Sequence, residues 1–194
     1  FSGRGRAVLL TGEPGIGKST LVECVCSWAT EAGFLVGRGW CSEAGMPAYW
    51  PWRRALAGLS PRLRFRDGAG ESDEQAVLLA AVVETLEDAG RRQPVLIAID
   101  DVHWADPSSL LLLRTVVDAV PTLAVAVVLT ARDDLLAVDP ATRTAIADLP
   151  TATRRVPVPP LDRASAATLV RRFGGGDLPE RAVAGVVDRT GGNP

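Results

Sequence analysis

Apolar and polar positions fall in blocks along this chain: short uninterrupted apolar runs are followed by longer stretches in which apolar residues return every three or four positions. Ala7-Val8-Leu9-Leu10-Thr11 is the first such run and predicts a buried strand. Leu21, Val22, Val25, Trp28, Ala29 and Ala32 then recur at helical spacing, and Gly33 predicts the stop of that helix. Residues 34–39 predict a second strand, followed by a long irregular connection rich in Gly, Pro and Trp. Over 72–89 an amphipathic helix is expected, with Val77, Leu78, Ala81, Val82 and Leu86 inward and Glu74, Glu84, Glu87 and Asp88 outward. Gly90 and Arg91-Arg92 are expected to end it.

The run Pro94-Val95-Leu96-Ile97-Ala98-Ile99 is apolar without alternation, which predicts a central parallel strand covered on both faces. Asp106 is placed to cap a helix whose first residue is Pro107, with Leu110, Leu111, Leu113, Val117 and Val120 on its buried side. A strand over 123–130 ending in Ala131-Arg132-Asp133-Asp134, a helix over 141–148, a strand over 154–158 and a helix after Asp162 continue the alternation. Strand alternating with helix predicts a parallel sheet in a three-layer α/β fold. At least one extra strand is expected between the first strand and the one ending at Asp100. Beyond Gly174-Gly175-Gly176 a lone helical run over 180–189 predicts the beginning of a helical lid, dividing the chain into a core over 1–173 and a lid segment over 174–194.

Composition narrows the class. A chain of 194 residues with 47% apolar and 23% charged residues is a globular domain with one well-buried core. A net charge of −2 gives no general attraction to nucleic acid, so DNA contact would have to come from a segment outside this sequence. Cys24, Cys26 and Cys41 have no metal-ligand spacing, and their odd number points to a reducing cytoplasm. No apolar stretch is long enough for a membrane span, and no signal-peptide layout is present. A first residue Phe1 and an ending in Gly191-Gly192-Asn193-Pro194 predict a piece of something longer.

The candidate chemistry begins directly after the first strand. Gly12-Glu13-Pro14-Gly15-Ile16-Gly17-Lys18-Ser19 fits glycine, four residues, then Gly-Lys-Ser, the pattern in which loop amides and a helix N-terminus hold polyphosphate. Lys18 is expected to reach the β- and γ-phosphates, Ser19 to give a hydroxyl to Mg²⁺, and the whole loop from Gly12 through Thr20 to bind the nucleotide. In phosphate-loop enzymes the second required element is an acidic residue at the tip of a buried strand, and Leu96-Ile97-Ala98-Ile99-Asp100-Asp101 has that form; with the extra strand, this predicts the additional-strand, AAA+-like form of the phosphate-loop NTPase fold. Asp100 is assigned to Mg²⁺ and Asp101 to orienting and activating the attacking water. Arg132 stands at the carboxyl edge of its strand, to sense a γ-phosphate or to pair with Asp133 or Asp134; Thr130 is a second candidate for sensing. His103 and Trp104 border the site. The cluster Tyr49-Trp50-Pro51-Trp52 either packs an irregular loop against the sheet edge or forms a partner surface, and Arg62, Arg64 and Arg66 read as a solvated loop.

Taken together, the segments 11–20, 41–52, 96–106 and 190–194 resemble the nucleotide-binding domain of the signal-transduction ATPases with numerous domains, with the large ATP-binding LuxR-type regulators the nearest likeness. The runs Asp-Asp-Val-His-Trp-Ala-Asp and Pro-Ala-Tyr-Trp-Pro-Trp carry that resemblance. It implies a slow ATPase acting as a switch, closed with ADP and opened by ATP, that self-assembles in the ATP state and drives an output domain, often DNA-binding. Gly192-Asn193-Pro194 is similar to the Gly-Asn-Pro motif of the class, which implies that Pro194 and its neighbours touch the nucleotide from the lid side. The family's segment before the first strand is longer than 1–6, although Gly3-Arg4 is similar to its Gly-Arg pair, and the later helical and output segments are absent here. Two rival readings remain at this point: a phosphate-loop kinase or motor-type ATPase, and a scaffold that binds nucleotide without turnover.

Overall fold

The segment Val95-Leu96-Ile97-Ala98-Ile99 is at most 2% exposed along its length, and its successive side chains enter different layers. Val95, Ile97 and Ile99 join the larger core, whereas Leu96 and Ala98 pack with Val22 and Cys26 beneath helix α1 (Lys18–Glu31). An apolar run without alternation therefore becomes the middle strand of a three-layer fold. The computed structural model describes residues 5–59, 63, 65, 72–134, 139–151, 153–174 and 178–194. Gly3-Arg4, the arginines at 62, 64 and 66, and Gly175-Gly176 lie outside the described residues.

Strands β1 (Arg6–Gly12), β2 (Leu35–Trp40), β3 (Val95–Asp100), β4 (Val125–Arg132) and β5 (Thr153–Pro157) form one parallel sheet in the order β2-β3-β4-β1-β5. The inserted strand is β4, which separates β1 from β3. This is the additional-strand, AAA+-type arrangement expected from the alternation. Because every strand runs the same way, the loop after β1, the acidic tip of β3 and Arg132 of β4 all emerge at one edge.

The long connection after β2 is not irregular throughout. It contains helix α2 (Trp50–Leu56), which the pattern did not predict because only seven residues take part. Its backbone lies directly on β2: a Cβ at Gly37 would stand 2.1 Å from the Ala55 carbonyl oxygen, and one at Gly39 2.1 Å from that of Pro51. The Gly-Arg-Gly of β2 is thus a seat for α2. The aromatic cluster anchors the seat. Trp52 is 1% exposed and donates its indole N–H to Ser109 O at 3.0 Å, and the Tyr49 hydroxyl accepts from Gln75 Nε2 at 3.2 Å.

Helix α3 (Ser72–Arg92) runs through Gly90 instead of stopping there. A single helical glycine costs only about 1 kcal/mol relative to alanine, and Arg91 pairs with Glu87 at 2.6 Å and Asp88 at 3.1 Å on the last turns. Helix α4 (Pro107–Ala119) is capped as expected, Asp106 accepting from the Ser109 N–H at 3.0 Å. Five apolar residues expected inside face outward: Leu21, Trp28 (67% exposed), Ala32, Val77 and Leu111. Leu112 is fully buried in place of Leu111, since the inner stripe of α4 takes 109, 110, 112, 113, 116 and 117. Helix α1 covers its layer through buried Val22 and Cys26, with Val25 and Ala29 packed partly buried beside them.

Helix α5 (Pro140–Ala147) leads into β5, after which α6 (Arg163–Phe173) and α7 (Glu180–Thr190) pack on each other. Ala166, Val183 and Val187 are buried in that pair, and Arg163–Asp188 and Arg171–Glu180 bridge it at 2.5 Å each on the surface. The chain returns to the core after α7, Leu161 N–H donating to Gly192 O at 2.9 Å. Among the described residues no helix is long and apolar enough to cross a membrane.

Candidate nucleotide site

Gly17, at φ 97°, caps α1 in the left-handed region that favours glycine, and this conformation turns the loop so that successive amides face one space. Among the described residues the N–H groups of Gly15, Gly17, Lys18, Ser19 and Thr20 have no backbone acceptor. Together with the α1 N-terminus they form an anion cradle. Lys18 is 6% exposed and its ammonium bridges the loop's own carbonyls, donating to Gly12 O at 2.9 Å and Glu13 O at 2.8 Å. Burial holds its pKa below the ordinary lysine value, and Asp101, Asp133 and Asp100 oppose that shift.

At the tip of β3 the two aspartates have different surroundings. Asp100 accepts a short hydrogen bond from the Thr130 hydroxyl of β4, and the same oxygen accepts from the Asp101 N–H at 2.8 Å. Thr130 therefore ties both acidic residues to the neighbouring strand; it is fully buried, which makes it a brace between strands more than a contact for phosphate. Asp101 itself is left-handed at φ 56°, an uncommon state for a residue with a side chain, held by that hydroxyl. Burial pushes its carboxyl above the usual range, the Asp100 charge adds to this, and Lys18 and Arg132 act against it.

Pro14, Gly15, Gly17, Lys18, Ser19, Thr20, Asp101, His103, Trp104 and Arg132 line one cavity of about 390 Å³. The expected loop residues, the second aspartate and the arginine thus converge. Gly12 and Glu13 serve from behind as acceptors for Lys18, and Ile16 is buried beneath the loop. Asp100 stands one residue back from the lining. Pro194 does not line this cavity; it lies beside Gly17 and borders an apolar cavity of about 300 Å³ between α6 and α7. Its neighbour reaches the loop: Asn193 Nδ2 donates to Pro14 O at 3.1 Å. The Gly-Asn-Pro pattern was the available signal for that bond, while nothing local in the sequence marks Thr130 as the brace.

The residues fit a Mg²⁺-nucleotide. Ser19 and Asp100 are hard oxygen donors of the kind Mg²⁺ takes, and the buried Arg132 Nε in the cavity wall has no partner among the described residues. The family described as AAA ATPase domain matches residues 1–129, more than half of the chain. The chain belongs to that family.

As an AAA ATPase domain it binds nucleotide, ATP or ADP. Among solved structures it is similar to the signal-transduction ATPase with numerous domains bearing a tetratricopeptide repeat sensor from Pyrococcus horikoshii, at 17% identity and TM-score 0.57, covering 98% of this chain and 26% of that one. It is similar also to the Aeropyrum pernix ORC2 protein in its ADPNP and ADP complexes, at 18% identity and TM-score 0.53, covering 88% and 46%. Drosophila ORC bound to DNA matches at 15% identity and TM-score 0.57, covering 86% and 40%. At these identities the likeness shows the fold, and the AAA ATPase domain spans less than half the length of each of these chains. No curated protein matches the chain significantly in sequence.

Proposed function

We propose that this AAA ATPase domain is the slow, ATP-hydrolysing switch of a multidomain cytoplasmic regulator of the LuxR type. The observation that carries the reading is the hydrogen bond from Asn193 to Pro14 O, which ties the end of the α6–α7 pair to the phosphate loop. A change in the phosphates is thereby coupled to the position of the helical unit. The boundary expected at 173/174 falls inside the α6–α7 pair, whose helices share a buried seam, so the moving unit in this reading begins at α6.

The roles follow the geometry. Lys18 and the amides of the loop from Gly12 to Thr20 hold the phosphates, Lys18 exchanging two loop carbonyls for phosphate oxygens. Ser19 and Asp100 would hold Mg²⁺, which would supply positive charge against that developing on the phosphates. Asp101 takes a proton from water as the water oxygen bonds to the γ-phosphorus and the bond to the ADP oxygen breaks. Its raised pKa suits that task. Arg132 turns its unpartnered Nε region toward the γ-phosphate. The apolar space beside Pro194 takes the base end. Partners are the further helical and output domains of the same protein and, in the ATP state, other copies of it; DNA is reached only through the output domain.

A switch needs differential affinity, and moving a population from about 1:99 to 99:1 requires roughly 10⁴-fold preference of ATP for one state. Limited proteolysis of the α6–α7 unit in ADP and in a slowly hydrolysed ATP analogue tests the coupling. The cleavage rates should differ between nucleotides, and Asn193→Ala should shrink that difference while changing nucleotide affinity less than about threefold. Equal rates in both nucleotides would contradict the switch.

A further inference from the structure

The roles above leave one buried polar group in the cavity wall unused. The His103 side chain is 1% exposed, and among the described residues neither ring nitrogen has a hydrogen-bond partner. A neutral imidazole carries one N–H donor and one acceptor, and buried groups of this kind are nearly always paired. Its neighbour in the site is Asp101: His103 Nδ1 stands 3.8 Å from Asp101 Oδ1, about 0.6 Å beyond hydrogen-bond reach.

The imidazole is fixed. It sits in the turn Val102–Trp104, with Trp104 against it at 5.0 Å between ring centroids. The Asp101 backbone is fixed as well, since its N–H is bound to Thr130. Only the carboxylate is free to turn, and it has two directions to choose from. On one side Lys18 and Arg132 attract it. On the other stands an uncharged N–H: burial, with Arg132 and Lys18 adding to it, pushes the His103 pKa down to about 4. A carboxylate drawn into ion pairs with the two cations would accept a proton poorly and would face the wrong way.

We propose that His103 is a positioning residue whose ring N–H closes onto Asp101 when nucleotide fills the cavity, so that the other carboxylate oxygen faces the attacking water. Phosphate groups then occupy Lys18 and Arg132, which releases Asp101 to His103. The inference rests on the reading of Asp101 as the water-activating group.

The test compares His103→Phe, His103→Asn and His103→Gln with Asp101→Ala in the intact protein. Each is measured for kcat and KM with ATP, for ADP affinity, and for the gain in ADP retention when aluminium fluoride is added as a mimic of the transferring phosphoryl group. His103→Phe keeps the ring and removes the donor, so kcat should fall about 10- to 100-fold, ADP affinity should stay within about threefold, and the aluminium fluoride gain should vanish. Asn places an amide nitrogen near the Nδ1 position and should restore most of kcat and of the gain; Gln reaches past it and should not. A wild-type kcat in His103→Phe, or equal values for Asn and Gln, overturns the proposal, and the Asn–Gln pair decides the matter even if the Phe variant fails to fold. Full turnover in Asp101→Ala would overturn the Asp101 reading itself. An inactive Asp101→Ala beside a fully active His103→Phe would overturn this inference alone.

Discussion

The two halves of the site are made of different material. The loop from Gly12 to Ser19 offers backbone N–H groups and a helix N-terminus, and most of its side chains are exposed or tucked beneath it. The β3 tip works through side chains, and each depends on a group from elsewhere in the fold: Asp100 and Asp101 on Thr130, some 30 residues away, and the cavity wall on Arg132 at the end of β4. On the proposed roles, binding belongs to local chain geometry. Turnover belongs to the packed sheet.

If that contrast is right, perturbations of the tip should register in stability and turnover, and those of the loop in affinity. The largest effect expected is on acid stability. His103 has a folded pKa of about 4 against an ordinary value of 6.5, so below pH 6.5 the unfolded chain takes a proton that the folded one refuses. Stability should fall as pH drops from 6.5 toward 4, by up to about 3 kcal/mol. Urea melts across that window should show the loss, and it should be absent in His103→Phe.

Lys18→Ala comes next and acts on the loop. Removing charge-assisted contacts worth roughly 1.5–3 kcal/mol should weaken ATP about ten- to a hundredfold by calorimetry, with melting temperature little changed. Unaltered affinity would break the loop side of the contrast. Thr130→Val, nearly the same shape, should cost about 1–2 kcal/mol of stability by leaving the Asp101 N–H and Asp100 without their common partner. It should lower turnover while sparing ADP affinity; a drop in affinity alone would mean the tip acts in binding.

This division also governs what could be read before folding. The loop announces itself because its function lies in an unbroken run of chain, and β3 does because burial on both faces leaves a run with no polar break. The pairing of Asp100 with Asp101 was legible, as was the Asp106 cap, both being local. Thr130 was visible only as a residue near a strand end, because its work depends on β4 lying beside β3. Helix α2 escaped because seven residues hold it by seating on Gly37 and Gly39, a contact between backbones that leaves no hydrophobic period. Trp28, Val77 and Leu111 were misplaced because periodicity gives a face but not the width that the neighbouring layer covers.

The account stands most directly on Asp101→Ala, with ATP affinity and single-turnover hydrolysis measured on the same sample. Affinity within about threefold of the parent and hydrolysis lowered about 10²-fold or more is the predicted result. Hydrolysis at the parent rate, or affinity and hydrolysis falling together, would contradict it.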